Sequence, residues 1–125
     1  MTAVNWVALG FVALGGALGS VARALAGLLI PPGLLPWGTV AVNIVGSFAI
    51  GWLMGRLSEG GGGGPYAHSF WVIGVCGGFT TFSSFSWQTL EQMNRGQWGV
   101  AALHVLLSVL VCLGATALGW KLGRA

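Results

Sequence analysis

Charge is the scarcest property of this chain. Its 125 residues include five Lys and Arg against two Asp and Glu, 6% in all, where a soluble domain carries about a quarter. A chain so poor in charge cannot cover itself in water, and a soluble fold is excluded. The two acids, Glu59 and Glu91, both fall near the ends of apolar stretches. Proton-coupled export of cations needs a carboxylate inside the membrane, so an antiporter of that kind is excluded as well. The net charge is +3, but the basic residues are scattered and form no patch for nucleic acid. Cysteine is almost absent. Cys76 and Cys112 have no CxxC spacing and no His beside them, which argues against both a disulfide framework and a zinc site. They are read as small apolar packing residues, Cys76 lying next to the central glycines and within reach of any path there. The run from Gly60 to Gly64 does not lead into Gly-Lys-Ser/Thr, so it is a flexible connection rather than a phosphate loop, and no use of ATP is expected. No nucleophile–base–acid set and no metal-ligand cluster appears in the sequence, which leaves no basis for an enzyme.

What the chain does have is apolar length. Hydrophobic residues make up 55% of it, with a mean hydropathy of +0.84, and four stretches approach the roughly 20 residues that cross a bilayer. They cover approximately residues 4–30, 39–57, 69–93 and 100–122. The expectation is an all-α membrane protein, one transmembrane domain over residues 1–125, multi-pass in the cell inner membrane. The first stretch lacks a basic leader and is too long for the apolar core of a signal peptide, so it is read as retained. Trp6, Trp37, Trp71, Trp98 and Trp120 lie near span ends, where interfacial aromatics concentrate. With both termini inside, Arg56, Lys121 and Arg124 face the cytoplasm and Arg23 and Arg95 the other side. Three against two is a weak bias for a property that sets topology. Such a chain can insert both ways, as an antiparallel, dual-topology homodimer requires.

The third stretch holds the feature around which the others are arranged. Gly77-Gly78-Phe79-Thr80-Thr81-Phe82-Ser83-Ser84-Phe85-Ser86 lies in mid-span. Adjacent glycines are poor helix formers, so a break at Gly77 and Gly78 is expected, near the middle of the membrane. Its freed carbonyls would need a partner, a cation or else the hydroxyls of Thr80 and Thr81. The continuation presents Phe82 and Phe85 one turn apart among Ser83, Ser84, Ser86 and Thr89, a pattern suited to a narrow polar path. On the second stretch Asn43, with Thr39 one turn earlier, either makes a bond between helices or offers its amide donors to an anion. Arg23 lies roughly 10 Å from the end of the first helix; it either snorkels or places positive charge at the mouth of an anion path. His104, Ser108 and Cys112 recur every four residues and share one helix face. Gly15 and Gly19 have the spacing that admits a close helix neighbour, within the subunit or across a dimer. Glu91 and Arg95 are read as a solvated surface pair. A membrane scaffold without transport would account for the glycines, but not for the Phe, Ser, Thr and Asn faces.

Three motifs contain these residues: Gly-x-x-Gly-Ser-x-x-Arg at 16–23, Gly-Thr-x-x-x-Asn at 38–43 followed by Gly46, and Gly-x-x-Gly-Gly-x-Thr-Thr-Phe-Ser-x-Phe-Ser at 74–86. In them the chain resembles the small dimeric fluoride channels of the Fluc or CrcB family, over three of the four expected helices and in the same order. The resemblance implies four-helix subunits paired antiparallel, with two pores per dimer. It implies that Phe82 and Phe85 are the aromatic pair of each pore, that Asn43 is a fluoride-facing amide, and that Arg23 stands at an aqueous vestibule. It further implies that the backbone carbonyls of Gly77 and Thr80, from both subunits, hold one central structural sodium ion. In the family the last helix adds hydroxyl residues, matched here by Ser108. His104 and Cys112 depart from that pattern and join the path only as members of the same stripe, with helix packing as the alternative for His104. Thr39, Ser83 and Ser84 complete the expected pore. The implied function is passive, fluoride-selective efflux that lowers cytoplasmic fluoride, and the partners are fluoride, a second copy of the chain and the bilayer. The chemistry is compatible: a small, strongly hydrated anion must exchange water for close donors, and amides, hydroxyls and the positive edges of phenyl rings supply them. None of these groups titrates near neutral pH, which suits passive conduction rather than proton coupling.

Overall fold

The computed structural model describes residues 3–125, and all its regular structure is helical. Helix α1 spans Trp6–Leu29, α2 Trp37–Ser58, and α5 Trp98–Gly123. These three are long and apolar enough to cross a membrane. Each begins on a tryptophan, so Trp6, Trp37 and Trp98 mark helix starts as well as the expected interface. Asn5 caps α1, its Oδ1 accepting from Ala8 N at 3.0 Å. Pro31 and Pro32 follow its end, where proline cannot continue a helix. Leu35, 1% exposed, plugs the turn that leads into α2.

The remaining expected span, 69–93, is divided between two helices. Helix α3 is continuous from a wide-wound π-helical part, His68–Cys76, into one α-helical turn, Gly77–Phe79; α4 follows over Phe82–Asn94. Neither alone reaches the roughly 20 residues that span a bilayer. Between them Thr80 (φ −86°, ψ 158°) and Thr81 (φ −149°, ψ 113°) are extended. The interruption therefore lies at Thr80–Thr81 and not at Gly77–Gly78 as the sequence led us to expect. Gly77 is helical, at φ −62° and ψ −38°. The glycine at 78 serves contact instead: a Cβ there would strike the Gly16 carbonyl oxygen and lie 3.1 Å from Ser20 N on α1.

Glycine also sets how the helices pair. Gly15 and Gly19 of α1 press on the backbone of α3 near Phe70, Gly74 and Val75, so their close neighbour lies within the subunit. Gly51 and Gly55 of α2 meet α5 at Thr116, Trp120 and Gly123, while Gly119 and Gly123 meet Phe48 and Trp52 in return. Sequence number rises together on both sides of each seam, so α1 runs parallel to α3 and α2 parallel to α5. Close approach of this kind holds helices together where lipid removes the hydrophobic drive. In the connection before α3, Gly60, Gly62, Gly63 and Gly64 all have positive φ, a conformation open chiefly to glycine. The adjoining ends of α2 and α5 are joined by Arg124 Nε donating to Glu59 Oε1 at 2.9 Å.

The α2–α5 seam yields a test. A Cβ at Gly51 would collide with the Thr116 carbonyl oxygen and come within 3.0 Å of Trp120 N, backbone atoms that cannot step aside; Gly10 has nothing within 4 Å. Gly51→Ala should destabilise by about 1–3 kcal/mol, as overpacking does, whereas Gly10→Ala should be neutral or mildly stabilising. Thermal unfolding of the two variants in the same detergent checks the contrast.

Candidate functional site

The site is built on the interruption. An extended dipeptide between two helices exposes backbone groups that each need a partner in a medium without water. Thr80 meets this locally: its N–H and its Oγ1 donate to the Cys76 carbonyl at 3.0 and 2.9 Å. Thr81 is held from another helix. Asn43 of α2 accepts from Thr81 N through Oδ1 at 2.7 Å and donates through Nδ2 to Thr81 O at 3.1 Å. Thr81 Oγ1 then caps α4, accepting from Ser84 N at 3.2 Å. The interhelical bond weighed for Asn43 is thus present, and the second N–H of the same amide remains available. The threonine hydroxyls also cap the broken ends, as one of the two readings supposed. Even so, among the described residues no donor reaches the carbonyls of Gly77 or Thr80.

A groove of about 620 Å³ opens against this interruption, between α2, α3, α4 and α5. It brings together Asn43, Gly77, Thr80, Phe82, Phe85, Ser108 and Cys112 among the expected site residues. Phe82 and Phe85 stand with ring centroids 5.6 Å apart at 50°. Phe82 is 79% exposed, so this ring projects out of the subunit. A second cavity, about 200 Å³, is lined by Arg23, Gly38, Thr39, Thr81 and Ser84, and Thr81 borders both spaces. Arg23 is not free: its Nε donates to the Gly78 carbonyl at 3.0 Å, which leaves the other guanidinium donors for the cavity. Thr39 accepts from Gln88 Nε2 at 2.9 Å, a bond between α2 and α4.

Two expected site residues border neither space. Ser83 is exposed, with its Oγ 3.4 Å from Thr81 Oγ1. His104 is fully buried behind Phe85, ring centroids 4.9 Å apart and nearly perpendicular, with Thr89 and Gln92 on its Nδ1. Sequence reasoning missed Ser47 and Thr116, both of which line the groove, and gave Thr81, also on the groove, only as a cap on the broken helix. Thr116 had a signal, since it continues the four-residue stripe of His104, Ser108 and Cys112. The bond from Thr81 to Asn43 had none, because it depends on a break at Thr80–Thr81 rather than at the glycines. Glu91 and Arg95 form the expected surface pair, 3.7 Å apart.

Helices this apolar, packed through glycine around neutral hydrogen-bonding residues, define a multi-pass all-α membrane protein. Residues 10–120 match the family model described as CrcB-like protein, Camphor Resistance (CrcB). A protein of Gluconobacter oxydans (strain 621H) called fluoride-specific ion channel FluC is 46% identical over 114 residues, 86% of this chain and 78% of that protein. Proteins of the same name from Opitutus terrae (48% over 118 residues, 87% of this chain and 86% of that protein) and Agrobacterium fabrum (46% over 117 residues, 90% and 93%) are similarly close. The chain belongs to the CrcB family. It is not an enzyme.

If Asn43 holds the interruption closed, removing its amide leaves Thr81 N–H and C=O unpaired. Asn43→Leu should cost about 2 kcal/mol or more, each stranded buried group being worth about 1–3. The loss should appear as a lowered unfolding temperature in detergent, before any transport is measured.

Proposed function

We propose that this chain forms a passive, fluoride-selective channel that lets fluoride leave the cytoplasm through the cell inner membrane. The observation that carries the reading is the pinned interruption. It sets the Phe82–Phe85 pair and the spare Asn43 N–H beside a groove without carboxylates, next to a cavity that holds Arg23. A strongly hydrated anion gives up water only for close donors. An amide N–H, the hydroxyls of Thr39, Ser83 and Ser84, and phenyl edges meet that need without changing charge near neutral pH, and Ser108 lines the groove beside them. Arg23 forms the vestibule, where a fixed positive charge raises the local concentration of anions. Cys112 and His104 belong to the same wall of the path, Cys112 on the groove and His104 behind Phe85. The names of the relatives support fluoride as the ion. Hydrogen fluoride enters neutral and ionises in the less acidic interior, so a channel suffices for export, aided by the inside-negative potential.

The working unit is an antiparallel homodimer of four-span subunits with two pores, the third span being α3 and α4 in series, broken near mid-membrane. The 79% exposure of Phe82, a ring assigned to the path, supports a second subunit that covers it. The Gly77 and Thr80 carbonyls fit a shared structural sodium ion: both residues line the open groove, and neither carbonyl has a donor among the described residues. Among the described residues there is no cluster of three His, Cys, Asp or Glu side chains. Two carbonyls from each subunit give a neutral oxygen set, suited to a monovalent ion, whereas a divalent ion would normally recruit carboxylates. When bound, the ion would tie the subunits together and add positive charge between the pores.

Purified protein in liposomes should release fluoride without a proton gradient and retain chloride; equal passage of chloride, or movement only under a proton gradient, would refute the channel. Phe82→Ile and Phe85→Ile keep apolar bulk but remove the ring quadrupole. Each should cut fluoride flux at least tenfold in protein that still folds, and normal flux would return both rings to packing. Asn43→Asp, which adds a negative charge to an anion path, should be at least as damaging. Exchange of all sodium for a large organic cation should weaken the dimer on gel filtration and lower flux. Unchanged assembly and unchanged flux would remove the ion from the scheme.

A further inference from the structure

The partners of His104 favour one tautomer. The imidazole is 0% exposed, and its Nδ1 lies 3.3 Å from Thr89 Oγ1 and 3.3 Å from Gln92 Oε1. The single hydroxyl hydrogen of Thr89 is spent on the Phe85 carbonyl at 2.8 Å, so toward the ring Thr89 can only accept. Gln92 Oε1 is an acceptor by nature. Two acceptors on one ring nitrogen require the proton to sit there, and two long distances suit one N–H shared between them. The neutral ring therefore carries its lone pair on Nε2, and that atom is buried with no partner among the protein's groups. One turn further along α5, Ser108 Oγ is also buried without a partner, in a residue 6% exposed that borders the groove.

An acceptor-only nitrogen and a hydroxyl one turn apart do not suit an anion. Fluoride has no hydrogen to offer Nε2, and an anion against that lone pair would be repelled. A neutral donor fits. We propose that His104 and Ser108 hold one water molecule on the α5 wall beside Phe85. The water donates one hydrogen to His104 Nε2 and accepts from Ser108 Oγ, within the two to four partners that a buried water needs. Its second hydrogen is then free for the ion. His104 is on this account a positioning residue that presents a donor it does not itself possess. This inference rests on the channel reading for its function but not for its chemistry.

The test has two arms. Protein with both histidine ring nitrogens isotopically labelled, and His68→Gln to leave one ring, is placed in lipid nanodiscs for nuclear magnetic resonance at neutral pH. The proton is expected on Nδ1, with Nε2 unprotonated and the ring in magnetisation exchange with water. A proton on Nε2, or a ring without contact to water, overturns the proposal. In the second arm fluoride currents are recorded for Ser108→Ala and for His104→Asn, which keeps a donor at the Nδ1 position and drops the Nε2 acceptor. Each variant should raise the half-saturating fluoride concentration about tenfold, the worth of one hydrogen bond. The double variant should be no worse than either single, because both remove the same water. Unchanged half-saturation in Ser108→Ala, or effects that multiply in the double variant, overturn it. If the parent protein carries no fluoride current the channel reading fails, and the resonance arm alone decides the hydration site.

Discussion

Two carboxamide hydrogen bonds hold the centre of this molecule. An extended dipeptide inside an apolar bundle is costly unless its N–H and C=O groups are paired, since no water competes for them. Thr80 turns back to Cys76, while Thr81 is taken by Asn43 through both atoms of its amide. One turn earlier Gly78 gives its carbonyl to Arg23. Residues of α1, α2 and α3 thus meet at one level of the bundle, and the direction in which α4 leaves follows from that junction. The placement of Phe82 and Phe85 is a consequence, because α4 begins at Phe82 with Thr81 as its cap.

The junction can form only because the helices around it approach closely. Gly15 and Gly19 let α1 lie against α3, Gly46 leaves room for the Thr80 methyl, and Gly51 and Gly55 seat α2 on α5. Each glycine costs helix stability, about 1 kcal/mol against alanine in water, and gains dispersion contacts and backbone proximity in return. The wide turns of His68–Cys76 belong to the same arrangement, since that stretch carries Gly74, whose Cα faces Gly15 of α1. Local helix quality is given up in several places for one well-defined junction.

This division explains what could be read in advance. Apolar length marks where helices begin and end, so the span at 39–57 is matched by Trp37–Ser58 and that at 100–122 by Trp98–Gly123. The groove residues on a regular helix face, Ser108 and Cys112, were legible for the same reason: periodicity survives folding. Propensity misled at Gly77 and Gly78. Paired glycines weaken an isolated helix, yet here α1 packs against them, and the chain opens where Asn43 can replace the lost bonds. A break fixed by a side chain 38 positions away leaves no local trace. His104 shows the converse. Its stripe was visible, but its surroundings of Thr89, Gln92 and Phe85 come from α4, and they turn a polar residue on a wall into a buried one behind it.

The distribution of charge bears on which ion could pass. Glu59 with Arg124 and Glu91 with Arg95 are pairs at helix ends, largely exposed and worth at most about 1 kcal/mol each. They shape the rims and leave the interior unaffected. Arg23 is different: it lies within α1, six residues before its end, and its anchor is a neutral carbonyl rather than a carboxylate. Its charge is therefore not cancelled where it stands, beside the cavity shared with Thr39 and Ser84. A cation would meet that field with no acid nearby to offset it, whereas an anion would be drawn toward the Asn43 amide at Thr81. The sign of the permeant ion follows on this reading from one unpaired arginine set next to neutral donors. In the proposed channel, selection among anions would then fall to the contacts around the two phenylalanines.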